Sequence, residues 1–227
     1  MNSEVGVTVR RESMREQVKR VLLSRILDGT YRPGFRLVEL RIARELKTSQ
    51  GPVREALREL EALRLVKSET YRGSRVREIT AQEIREACEI RGVLEELSVP
   101  GAIAKFRDNA KPLRSKLEGL CRAAASDDRD AYARYNVAFH RAIVEAAGNS
   151  TLLRLWETLA IEIFTRINLT RAPSNLMKLA DAHNAIFDAI VQGNGKTAGR
   201  LLRRHGDDVL APDLVAPVDS SAMALKV

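Results

Sequence analysis

Apolar residues recur three and four positions apart along most of this chain, the spacing that lines one face of an α-helix, and one internal stretch departs from it. Residues 14–27 carry Val18, Val21, Leu22 and Ile26 at that spacing and stop at Asp28-Gly29. After the turn Tyr31-Arg32-Pro33-Gly34, the segment LVELRIARELK offers Leu37, Leu40, Ile42, Ala43 and Leu46 as the apolar face of a second helix. Beyond Thr48-Ser49, Pro52 falls in the first turn of a third helix, where its missing N–H costs nothing. Val53, Ala56, Leu57, Leu60 and Leu63 form that helix's inner face. The exception is KSETYRGSRVREIT, whose β-branched and aromatic residues flank Arg72-Gly73 and predict a two-stranded hairpin.

From Thr80 the helical pattern returns in six segments, about 81–106, 110–125, 129–147, 150–170, 175–192 and 196–210, parted by DNAKP, SDD, GNS, RAPS and GNG. Thr80 with Glu83 fits a capping box at the start of the first. The last stretch, APDLVAPVDSSAMALKV, holds two prolines and no helical period, so it is expected to be loosely ordered. A chain of 227 residues can bury two modest cores. Cys88 and Cys121 are too few and too far apart for a disulfide framework or a thiolate zinc site, and read as reduced structural thiols. No apolar run approaches the roughly 20 residues that span a bilayer, and no secretory signal opens the chain. The expectation is a cytoplasmic protein with no membrane contact.

The charge is lopsided. Residues 1–78 hold 18 Lys and Arg against 11 Asp and Glu, whereas residues 79–227 hold 20 against 19, so the net charge of +8 sits mostly in the first third. A local basic excess attracts polyanions, and release of their counterions favours nucleic acid. Three short helices and a hairpin supply the matching shape: residues 39–63 read as a helix-turn-helix, with a bracing helix, a tight turn and a second helix for the major groove. With Val53, Ala56, Leu57 and Leu60 turned inward, Ser49, Gln50, Arg54 and Arg58 occupy the other face. Gln can read adenine, and Arg can read guanine or clamp a phosphate. Arg72, Gly73 and Arg75 on the hairpin could follow the backbone into the minor groove. Taken alone, the same residues also fit a solvated basic face on a small helical domain.

The string SQGPVREALRELEALRLVKSETYRGSRV narrows this choice, because it resembles the recognition helix and wing of GntR-type regulators. Its Pro52-Val53-Arg54-Glu55-Ala56-Leu57 core and Arg72-Gly73 match that family, as does the upstream spacing of Leu37, Ile42, Ala43 and Leu46. Gln50-Gly51 stands where the family usually has Arg-Thr, which alters one contact and implies an unusual operator. The resemblance implies a mainly α chain: a winged helix-turn-helix over 1–77, an all-α antiparallel helical bundle for effector binding and dimerisation over 78–210, and a flexible tail over 211–227. It also implies a homodimer on a palindromic double-stranded operator. Ser49, Gln50, Arg54, Arg58, Arg72 and Gly73 are the expected DNA contacts.

The chain has three histidines, all in the second part: His140 among Phe139, Ile143 and Val144, His183 in line with Leu179, Ile186 and Ile190, and His205 with Leu201 and Val209. All three are expected to point inward. A lone core histidine is usually a satisfied hydrogen-bonder, but three imidazoles converging from three helices could hold zinc or nickel and leave a position open. The segments NVAFHRAIVEAAGN, ADAHNAIFDAI and GRLLRRH resemble the FCD effector domain of the FadR branch of GntR regulators, in its shorter, VanR-like, six-helix form. Many members add an Asp four residues before the first His, so the implied ligands are Asn136, His140, His183 and His205. Asn136 in place of Asp gives a weaker, uncharged donor and leaves a bound cation more positive, which suits a small organic-acid effector. Arg91, Asn136, Arg166 and Asn168 are the implied effector residues. By spacing alone, Arg91 with Glu95 would be a surface ion pair.

Two other functions fit parts of this sequence. A metal-dependent hydrolase could use an open position on three histidines, but no general base, Gly-x-Ser-x-Gly or phosphate loop accompanies them. A nonspecific nucleic-acid binder needs only the basic third. The reading with the widest support is a ligand-responsive repressor that is not an enzyme.

Overall fold

The computed structural model describes residues 12–69, 73–171 and 175–208, and the chain divides into two compact units, Met1–Glu78 and Ile79–Val227. Residues 209–227, which include the expected tail, and Arg72 at the hairpin turn lie outside the described residues.

In the first unit, α1 (Met14–Leu27) opens on a capping box: Ser13 Oγ accepts from Glu16 N, and the Glu16 carboxylate accepts from Ser13 N at 2.9 Å. Its buried Val18 and Leu22 pack toward α3 (Gln50–Ala62), whose inner face is Val53, Ala56, Leu57 and Leu60. Between them lie β1 (Arg36–Leu37) and α2 (Glu39–Glu45). After α3, the chain makes β2 (Val66–Glu69) and β3 (Gly73–Val76), antiparallel with Lys67 opposite Arg75. Gly73 takes φ +79°, a conformation side chains disfavour.

Two sequence expectations change here. The hairpin is part of a three-stranded sheet, because Arg36 and Leu37 pair with Arg75 and Ser74 of β3. The second helix is consequently shorter than its apolar pattern suggested. Leu37 belongs to β1, Val38 is an extended N-cap, and Leu40 is 47% exposed while Ile42 and Ala43 face the core.

The second unit is helical throughout its described residues. Its elements are α4 (Ala81–Phe106), α5 (Lys111–Ala125), α6 (Arg129–Ala146), α7 (Ser150–Thr158), α8 (Ile161–Arg171), α9 (Leu176–Val191) and α10 (Gly195–Asp208). The Thr80–Glu83 capping box forms at the head of α4. α4 runs between α6 and α10, while α5 lies against α6 and α9. Val99, Phe106, Phe139, Ile143, Ile186, Ile190 and Leu202 form the main core. Gly101 marks the closest approach of α4 to the end of α6, since a Cβ there would lie 2.5 Å from Ala146 O.

The helix expected over 150–170 is two helices, so seven replace the six expected. Asn149 caps α7 by accepting from Thr151 N and Leu152 N. The break falls at Ala160, whose φ of +50° turns the chain before α8. Neither Gly nor Pro marks that position, which is why the apolar pattern runs through it unbroken.

Candidate functional site

The exposed face of α3 begins at its N-cap, Ser49, with Gln50, Arg54 and Arg58 following along it. Two of these side chains are already engaged. Glu39 of α2 accepts from Arg54 Nη2 at 3.0 Å and from Arg54 Nε at 3.2 and 3.3 Å, and Glu55 accepts from Arg58 Nη1 at 2.9 Å. Both pairs are open to solvent, so a phosphate or base edge could replace either carboxylate at little cost. Gly73 opens β3 beside Ser74 at the hairpin end.

In the second unit the three histidines converge. His140 on α6, His183 on α9 and His205 on α10 are 0%, 0% and 2% exposed, and one ring nitrogen from each lies within 4.8 Å of the others. His140 and His205 stack with centroids 5.1 Å apart, and His183 stands edge-on to both. All three arrive on helix faces whose neighbours are core residues, as the inward expectation required.

Their outer partners fix the ring protons. His140 Nδ1 lies 2.9 Å from Glu95 Oε2, and His183 Nδ1 lies 2.8 Å from the Leu179 carbonyl. Both partners only accept, so each Nδ1 carries the hydrogen and each Nε2 presents a lone pair. The two Nε2 atoms sit 3.2 Å apart, and Asn136 Oδ1 lies 2.9 Å from His183 Nε2. His205 adds two buried ring nitrogens that have no hydrogen-bond partner. Burial, helped by neighbouring imidazoles and Arg91, holds His183 and His205 well below the usual imidazole range, and burial and Arg91 also lower His140. A proton is therefore a poor bridge between them at neutral pH.

A divalent ion fits this donor set. Zinc–nitrogen bonds of about 2.0–2.1 Å in a tetrahedral site separate ligand atoms by roughly 3.4 Å, close to the 3.2 Å between His140 Nε2 and His183 Nε2, with a His205 nitrogen within 4.8 Å of both. Asn136 also accommodates the alternative. Its Nδ2 points to Thr165 Oγ1 at 3.3 Å, and the amide turned over would donate to His183 and accept from Thr165. An ionised carboxylate at this position could coordinate an ion and accept from Thr165, but it could not donate to His183.

Sequence reasoning missed Glu95. It is 1% exposed on α4 and accepts from Arg91 Nε at 2.7 Å and Trp156 Nε1 at 2.9 Å in addition to facing His140. The surface ion pair expected from the Arg91–Glu95 spacing is instead a buried one, with Arg91 3% exposed. Burial pushes the Glu95 carboxyl up, but Arg91, then His140, and the hydrogen bonds from both outweigh it and hold the group down at about 2. Arg91 Nη2 remains buried without a partner.

The other expected effector residues divide. Asn136 lies among the histidines, and Asn168 is buried on α8 three residues past Thr165, with Oδ1 unpartnered. Arg166 is not gathered with them. It is clasped by Glu162 at 3.0 Å and by Asp130, the pairing its four-residue spacing to Glu162 favours. Among the described residues no helix is long and apolar enough to cross a membrane.

Family comparison agrees with both units. The model for bacterial regulatory proteins of the gntR family matches residues 14–76, and the FCD domain model matches residues 86–208. The chain belongs to the GntR family. This GntR regulator is 35% identical over 195 residues, 86% of each chain, to the "Probable D-xylose utilization operon transcriptional repressor" of Paenarthrobacter nicotinovorans. It is 27% identical over 195 residues to the gluconate operon transcriptional repressor of Bacillus subtilis, covering 83% of this chain and 80% of that one. Among solved structures, a GntR transcriptional regulator from Rhodococcus sp. RHA1 superposes with a TM-score of 0.70 at 27% identity, over 91% of this chain and all of that one. The GntR chain is thus a DNA-binding transcription regulator with a helical effector-type domain.

Proposed function

We propose that this chain is a cytoplasmic, homodimeric repressor that leaves a palindromic operator when a small organic acid binds beside its buried histidines. On the DNA side, Ser49, Gln50, Arg54 and Arg58 contact base edges and phosphates, and Arg72 with Gly73 carries the wing along the backbone. His140, His183 and His205, with Asn136, would hold a divalent ion, zinc or nickel. Such an ion supplies a fixed positive charge to which a carboxylate can bind.

The observation that carries this reading is the set of unmatched ring nitrogens: two Nε2 atoms 3.2 Å apart beside a His205 ring whose nitrogens have no hydrogen-bond partner. Buried polar atoms left this way are costly unless something fills the gap. Arg91 then receives the acid through its unpartnered Nη2, its Nε being taken by Glu95. Asn168 Oδ1, also unpartnered, can accept a hydroxyl, which favours hydroxy acids and sugar acids over plain carboxylates. The gluconate operon repressor among its relatives makes a sugar acid the first compound to test. Arg166 stays with its two carboxylates and takes no part.

The test is a melting-temperature screen on chelator-treated protein, with zinc, nickel and gluconate singly and together. Zinc or nickel should raise the transition, and gluconate should raise it further only with metal present, since a ligand of the native state stabilises it. Saturating acid should weaken operator binding by about fivefold or more in fluorescence anisotropy. Unchanged operator affinity at saturation rules out release by that acid.

A further inference from the structure

Asn136 sits where two hydrogen-bond demands collide. It lies on α6 between His183 of α9 and Thr165 of α8, and all three side chains are buried. With its Oδ1 turned to His183 Nε2 at 2.9 Å, its Nδ2 points at Thr165 Oγ1, 3.3 Å away. The Leu179 carbonyl, 2.8 Å from His183 Nδ1, only accepts, so the single hydrogen of a neutral ring stays on that side. His183 Nε2 is left with a lone pair, and in this orientation the amide faces it with another. Two buried lone pairs at hydrogen-bond distance oppose each other unless a cation lies between them or one side supplies a hydrogen.

An asparagine meets either demand, because a half-turn about its Cβ–Cγ bond exchanges oxygen for nitrogen. With Nδ2 toward His183, the amide donates into the lone pair, and the Thr165 hydroxyl rotates to donate to Oδ1. With Oδ1 toward His183, the amide oxygen and Nε2 aim at a shared cation, and Thr165 accepts from Nδ2. Neither arrangement leaves a polar atom of Asn136 unmatched. An ionised carboxylate in its place would serve only the second, and it would add a negative charge. Three imidazoles and an amide oxygen are instead a neutral set of donors. That set suits zinc and nickel, which bind nitrogen well, and offers little to manganese, which favours carboxylate oxygens.

We infer that Asn136 is a two-position switch for the histidine cluster, its amide nitrogen on His183 when no ion is held and its oxygen there when one is, so that the site takes up zinc or nickel reversibly and discriminates against manganese. This rests on the ion reading above and deepens it: the ion becomes a second input to the regulator, and Asn136 the residue that sets which ion enters.

Nuclear magnetic resonance of the full chain, labelled with nitrogen-15 in asparagine and histidine side chains, reads the amide directly. Chelator-treated protein should show a nitrogen–nitrogen coupling between Asn136 Nδ2 and His183 Nε2, which only an N–H···N bond gives, and saturating zinc should abolish it. Absence of the coupling without metal, or its survival at saturating zinc, overturns the switch. Competition against a chelating dye reads the selectivity. Asn136→Asp should bind zinc about tenfold or more tighter than the unaltered chain, because ligand charge raises affinity, and the gain for manganese should be larger still. Equal gains for the two ions, or none, overturn the role of Asn136 in choosing between them. If Asn136→Asp fails to fold, the coupling in the unaltered chain decides. A chain that takes up neither zinc nor nickel overturns the ion reading and the switch together, whereas zinc uptake with an unmoved amide overturns the switch alone.

Discussion

Glu95 links Arg91 to the histidines of the site, since its carboxylate joins Arg91, His140 and Trp156 at once. Glu95→Gln keeps the shape and removes the charge, leaving Arg91 buried without a counter-ion. Breaking a buried pair in this way costs about 3–5 kcal/mol. Denaturant unfolding of metal-free protein should show that loss, and an unchanged midpoint would mean the network is worth little. In the zinc-loaded protein, metal affinity should also fall by about 10–100-fold, the usual effect of removing a partner that orients a ligand. The inward histidines were legible because each falls among apolar residues at helical spacing. Glu95 was legible by the same rule, in step with Ile84, Cys88, Arg91 and Ala102, but charge and the four-residue spacing to Arg91 pointed to the surface instead. Periodicity outranks residue type on a long helix, because its direction is set by many side chains together. Thr165 and Trp156 had no such signal, since their roles arise only where α8 and α7 meet their neighbours.

Element boundaries were read well where a side chain marks them and poorly where the backbone alone does. The Ser13–Glu16 and Thr80–Glu83 boxes and the Asn149 cap all supply acceptors that the sequence displays. Ala160 supplies none, yet it turns α7 into α8 at φ +50°. A left-handed residue with a Cβ costs about 1–2 kcal/mol, and Gly adds about 0.4–1 kcal/mol of chain entropy to the unfolded state. Ala160→Gly should therefore stabilise the second unit by roughly 0.5–1 kcal/mol, visible as a rise of a few degrees in melting temperature. A fall would show that the turn depends on the methyl group. The short β1 strand escaped notice for a related reason. Two residues cannot display alternation, and Arg36-Leu37 becomes a strand only because β3 lies beside it.

At the scale of the molecule, the division into a basic reading head and a nearly neutral sensing body was visible in charge and pattern alone, and the family match agrees with it. Acid should damage the two parts unequally. Unfolded imidazoles take up protons near their ordinary value of 6.5, whereas the folded three do so only at lower pH, so the unfolded chain binds more protons as pH falls. Stability of the second unit is then intact above about 6.5 and declines below it, at up to about 1.4 kcal/mol per unit for each group. Glu95, ordinarily 4.5 and held at about 2, adds a further loss below 4.5 in the same direction. Far-UV circular dichroism melts at stepped pH should show the second unit failing first, and a pH-independent transition from 7 to 5 would contradict it. The order of the residues along the chain has its own consequence. The head is complete by Glu78, while His205 arrives on the last described helix. During synthesis the helix-turn-helix unit is therefore complete well before α10 emerges, and a chain cut short before α10 would keep the reading head but lose Ala198 and Leu202 from the second unit's core together with His205 of the proposed effector site.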